Sequence, residues 1–88
     1  MNWEEVRVAY PDQWLVVEAV EAYTTSNHYR IPEKIAIVEQ CVDGKAAFDS
    51  YRKYHAEYPS REYYFIHTSR VKFEVLERHW MGIQTRTV

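Results

Sequence analysis

Four histidines, one cysteine and two closely spaced pairs of glutamates are the residues of this 88-residue chain best equipped for chemistry. His28, His55, His67 and His79 never stand four apart, and neither a His-Glu-x-x-His nor a Cys-x-x-Cys spacing occurs. A metal site would have to be assembled from distant segments, with Cys41, His55 and His67 as the set to consider. The simpler expectation is that His55 flanks a helix stripe and His67 is a strand residue with a satisfied ring nitrogen, with no metal or other cofactor bound. Cys41 and His67 would make a thiol nucleophile only if the imidazole stood within hydrogen-bond reach and the thiol pKa were lowered. A lone cysteine at a strand end is ordinarily a small buried hydrophobe. Glu18 and Glu21 fall on opposite strand faces, as do Glu74 and Glu77, so neither pair can share a proton. Gly44 and Gly82 are the only glycines, which leaves no glycine-rich phosphate loop. No catalytic residue is expected.

Recognition chemistry is better represented. Eight tyrosines and three tryptophans are many for a chain this short, and both residue types bring apolar area with a polar handle. Tyr63, Tyr64 and Phe65 lie on one strand with Arg61, Arg70 and Lys72 nearby. One reading is a stacking platform for single-stranded nucleic acid, using Tyr63, Tyr64, Arg70 and Lys72. The element order is not that of the RNA recognition motif, and the Gly-Phe signature of that motif is missing. The preferred reading is a protein interface, where Tyr, Trp and Arg are the usual anchors. Trp14, Tyr64, Arg70 and Trp80 are the contact candidates.

The elements that must position these residues follow from capping and periodicity. Asn2 and Glu5 form a capping box, and Trp3, Val6 and Tyr10 lie on one helical stripe that Pro11 ends. A strand is expected over 13–23, a polar loop over 24–32 and a second strand over 33–42. Asp43 caps a long helix running to about Tyr58, with Ala47, Tyr51, Tyr54 and Tyr58 as its stripe. Residues 62–68 are the clearest strand, and Val71, Phe73 and Val75 alternate as a fourth. The segment 78–88 has no firm reading; residues 84–88 are expected to fray from a single domain spanning 1–83.

The order α-β-β-α-β-β implies an α+β domain. The expected sheet is mixed and four-stranded, with the long helix on one face. The first two strands and the last two form hairpins, and a right-handed crossover links the second to the third. The first and third strands are apolar on both faces. One long helix cannot cover both, so the first helix, the C-terminal arm or a second copy of the chain must cover the other. That uncovered area is the motive for expecting a self-associating, non-enzymatic protein-interaction module.

Charge is near balance, at −2, but unevenly spread. Residues 1–43 hold three bases against eight acids, and residues 44–88 hold eight bases against five acids. This balance does not favour nucleic acid. The acidic start has no apolar core of a signal peptide, and no run approaches membrane-spanning length, so the expected location is cytoplasmic with no membrane partner.

The stretch Tyr58-Pro59-Ser60-Arg61-Glu62-Tyr63-Tyr64-Phe65-Ile66-His67-Thr68-Ser69-Arg70, with Pro11-Asp12-Gln13-Trp14-Leu15-Val16 before it and Arg78-His79-Trp80-Met81-Gly82-Ile83 after it, resembles a family of short uncharacterised bacterial proteins. A Tyr-Pro-x-Gln-Trp start, a His-Thr-Ser-Arg segment and a late Trp-x-Gly segment carry the likeness over nearly the whole chain. The resemblance implies a small bacterial cytoplasmic domain. It also implies a protein partner, in the form of a retropepsin-like aspartyl protease encoded nearby. It assigns no catalytic residue.

Overall fold

The computed structural model describes residues 1–77, so Trp80 and the boundary at residue 83 lie outside the described residues. In chain order the elements are α1 (Trp3–Ala9), β1 (Trp14–Thr24), β2 (Tyr29–Cys41), α2 (Gly44–Glu57), β3 (Tyr63–His67) and β4 (Val75–Leu76). The domain is α+β, with two helices on a four-stranded antiparallel sheet.

Both helices begin and end for local reasons. The Asn2 side chain accepts from the Glu5 amide at 2.8 Å, and the Glu5 carboxylate accepts from the Asn2 amide at 2.9 Å. At α2 the Asp43 carboxylate accepts from the Ala46 amide at 2.8 Å. Each helix stops on a tyrosine preceding proline, Tyr10 and Tyr58, with nearly the same extended φ of −130° and −129°. The proline ring excludes the residue before it from the helical region.

The strand order is β3-β1-β2-β4. This corrects the expected mixed sheet, because every neighbouring pair is antiparallel. β2 and β3 run parallel to each other with β1 between them, so the connection through α2 passes over β1. The expected hairpin of β3 with β4 is also corrected: they occupy opposite edges. The chain after β3 crosses beneath the sheet so that Phe73 can be buried. There its ring meets Trp3 edge-on at 5.1 Å and Tyr64 at 5.5 Å. Of the expected Val71–Val75 strand only Val75 is in β4. The polar loop expected over 24–32 shrinks to a turn. The Thr25 hydroxyl accepts from the Tyr29 amide and His28 takes a positive φ of 67°, so β2 starts at Tyr29. Pro32 is tolerated inside β2 because register shifts fall beside it.

Two faces of β1 define two cores. Leu15 and Val17 point to one face, where they pack with Ile35, Ile66, Trp3, Val6 and Phe73. Trp14 and Val16 point to the other, beneath α2. There Phe65 lies 5.3 Å from Tyr51 and 5.4 Å from Phe48, and Tyr63 lies 5.7 Å from Tyr54. The cover that the sequence demanded for the second face is therefore α1 together with the Phe73 segment.

Trp3 is buried on α1 at the centre of that cover. Trp3→Ala is expected to lower the unfolding free energy by about 3–5 kcal/mol, and Asn2→Ala by about 1 kcal/mol through the lost cap. Urea denaturation followed by circular dichroism measures both. Equal losses would show that α1 is held by its cap and not by its packing.

Candidate functional site

Among the described residues, the outer side of β3 is an open edge of the sheet. The Ala19 amide donates to the Glu62 carbonyl at 2.8 Å, and the Thr68 amide donates to the Gln13 carbonyl at 2.9 Å. Antiparallel pairing alternates, so residues 62, 64, 66 and 68 turn their backbone groups toward β1. The amides and carbonyls of Tyr63, Phe65 and His67 turn outward. No described strand meets them. The His67 carbonyl does accept from the Arg70 amide at 3.2 Å, closing the turn that follows.

The opposite edge is managed differently. β4 pairs with Tyr29 and Arg30. Further along β2, the Met1 amine donates to the Ile35 carbonyl at 3.0 Å, and the Ile35 amide donates to the Met1 carbonyl at 2.7 Å. Three register shifts and the charged pair Glu33 and Lys34 also interrupt it. Bulges, charge and covering segments are the usual protections of a sheet edge. Among the described residues β3 has none of them: Tyr-Tyr-Phe-Ile-His is regular, free of proline and free of acids and strong bases.

A cavity of about 270 Å³ opens beside this edge, lined among others by Trp14, Tyr64, Phe65, His67, Arg70 and Phe73. Three of the four contact candidates, Trp14, Tyr64 and Arg70, thus share one site. Each is placed by a different element. Trp14 begins β1 and lies against Gly44, where an added Cβ would come within 3.0 Å of the indole. Arg70 sits in a turn that α1 holds from below. The Trp3 indole donates to the Arg70 carbonyl and the Arg7 guanidinium to the Thr68 carbonyl, both at 2.9 Å.

Tyr64 is fixed by its hydroxyl, which donates to the Glu62 carboxylate at 2.5 Å. Arg30 grips that carboxylate with two bonds of 2.9 Å. The bidentate geometry is the strong form of this pair. The Arg30 bonds, with help from Tyr64, hold the Glu62 carboxyl below the usual carboxylate range even though burial opposes it. Burial first, and then the Glu62 contact, push the Tyr64 phenol well up, so it stays a donor.

The other candidate groups are placed apart from one another. Tyr63 is buried under α2 while Tyr64 faces α1, so the aromatic run is split between two covered faces and is not a flat platform. Lys72 is exposed, and Arg61 reaches Glu18 at 3.4 Å. Cys41 and His67 both lie directly opposite Trp14, on β2 and β3 respectively. Two strand spacings put their backbones roughly 9–10 Å apart with Trp14 between them. Burial first, and then Glu39, push the Cys41 thiol up, away from thiolate. His55 stacks on Tyr51. Among the described residues no three His, Cys, Asp or Glu side chains gather as a metal site.

One cluster was not visible in the sequence. His67 Nδ1 accepts from the Ser69 amide at 3.1 Å and lies 2.9 Å from the Ser69 hydroxyl, and Nε2 is 3.6 Å from Asp12. The residue types are those of a hydrolytic triad. Asp12, however, is 92% exposed, and the nitrogen that would take the serine proton is already bonded to a backbone amide. The arrangement closes the turn after β3. A positive φ at Asp12 brings its carboxylate there, a conformation short-range patterns do not reveal.

Among the described residues, the fold and site together form a small α+β domain with one protected and one open sheet edge. No protein-family model, curated protein or solved structure matches the chain. No described helix is long and apolar enough to cross a membrane.

The Glu62 carboxyl, lowered in the folded state, stabilises the fold fully above its unfolded pKa of about 4.3. That stabilisation is lost as pH falls through the lower folded value. The stability gap between the unaltered protein and Glu62→Gln is therefore expected to hold steady from pH 7 to about 5 and to narrow below about 4. Urea titrations across that range measure it. A gap that widens in acid would show that Glu62 is not held as the anion.

Proposed function

We propose that the protein is a small non-enzymatic protein-interaction module, and that its docking surface is the open edge of β3 with the adjoining aromatic cavity. The observation that carries this reading is the outer edge of β3, unprotected among the described residues, beside a cavity lined by Trp14, Tyr64 and Arg70. An extended segment laid along β3 would satisfy the outward groups of Tyr63, Phe65 and His67. Its alternate side chains would meet the cavity, which is how strand addition divides affinity from specificity. Arg70 is exposed and offers a carboxylate or carbonyl a planar fork of donors.

Selection of random peptides of about twelve residues on the immobilised protein tests this. Binders should shift the amide resonances of Tyr63, Phe65 and His67. Their affinity should fall at least about fivefold in Arg70→Ala, roughly 1 kcal/mol. Binders that map to another surface, or a library that yields none, would remove the reading.

A further inference from the structure

We propose that the occupant of the β3 edge is the same edge of a second copy of the chain, paired antiparallel about a two-fold axis through Phe65. This rests on the reading of that edge as the docking surface and adds the partner and the register.

Three features of the strand select this arrangement. First, the outward-facing residues are Tyr63, Phe65 and His67, spaced evenly about Phe65. A two-fold axis at Phe65 sets Tyr63 opposite the partner's His67 and Phe65 opposite the partner's Phe65. Every outward amide and carbonyl then faces a partner group, the His67 carbonyl as an acceptor shared with the Arg70 amide. A shift of the axis to Tyr63 or His67 strands the far residue beyond the strand end. An isologous contact of this kind closes at two copies.

Second, the register sets no like charges face to face. Glu62 falls opposite the partner's Thr68, while Ser60, Arg61, Ser69 and Arg70 lie in the turns that flank the strand. Parallel stacking of the same strand would instead bring Glu62 beside the partner's Glu62. Like charges directly opposite oppose pairing.

Third, the exposed apolar area is continuous across the axis. Phe65 is 37% and Phe48 is 41% exposed, and their rings touch at 5.4 Å. Pairing at Phe65 brings the two Phe48–Phe65 patches together on the α2 side, and an eight-stranded sheet results. Two five-residue strands bury little area, so the complex is of the transient class, with a Kd on the order of 100 µM.

Light scattering of the full chain from about 10 µM to about 1 mM, the range that brackets such a Kd, should show the mass rise toward twice that of one chain. Over the same range, amide shifts that depend on concentration should centre on Tyr63, Phe65 and His67. In a Cys41→Ser background, Phe65→Cys should form a disulfide-linked dimer under mild oxidation at least about tenfold faster than Val71→Cys. The paired Cα separation of about 5.5 Å suits a disulfide, and Val71 is an exposed position away from the edge. A monomer throughout the range overturns the second copy as occupant. A dimer whose shifts centre elsewhere, or in which Val71→Cys links as fast, overturns the register. Both outcomes leave peptide binding at the edge as the separate test of the docking surface.

Discussion

Everything in this fold answers to a central strand that is apolar on both faces. Leu15, Val16 and Val17 are consecutive and fully buried, and consecutive strand residues point to opposite sides. Such a strand cannot be an edge, and it cannot lie on a sheet with only one cover. It takes β2 on one side and β3 on the other, α1 with Phe73 below and α2 above. An ordinary hairpin between β3 and β4 would have placed β4 along the outer side of β3. The chain instead returns β3 to β1 and sends β4 across to the far edge.

The same requirement explains where the surface is left open. Among the described residues, the segments that could have protected β3 are used elsewhere. The N-terminal residue and β4 both seal β2. α1 lies beneath the sheet, holding the turn after β3 through Trp3 and Arg7. The Arg30–Glu62–Tyr64 network then ties the far end of β2 to the entry of β3. Among the described residues, β3 is therefore fixed firmly on one side, and the backbone groups of Tyr63 and Phe65 are unpaired on the other. A rigid, prepared edge lowers the ordering cost of receiving another strand.

How much of this was legible in the sequence depended on range. Signals settled within a turn of chain were readable: the Asn2–Glu5 box, the Asp43 cap, the two Tyr-Pro stops and the aromatic run of β3. Sheet order was not, because nothing near Tyr63 specifies that it joins β1 rather than its own successor. The alternation of Val71, Phe73 and Val75 was real, but it recorded the burial of Phe73 against Trp3 and not a strand. Trp14, Tyr64 and Arg70 were picked by residue type. Their convergence depends on β1–β3 register and on a turn held from α1, both long-range. Asp12 beside His67 needed a left-handed backbone that no periodicity encodes.

The separation of β3 from β1 along the chain also bears on how the molecule assembles. The β1–β2 hairpin joins sequence neighbours across the turn at 25–28. Pairing Trp14 with His67, by contrast, requires closing a loop that contains the whole of β2 and α2. Contacts of that reach repay their closure entropy only after the ends meet. Pairing of β3 with β1 thus carries a large closure cost. Without β3, the central strand itself would be an edge that is apolar on both faces, the kind of edge most open to strand addition.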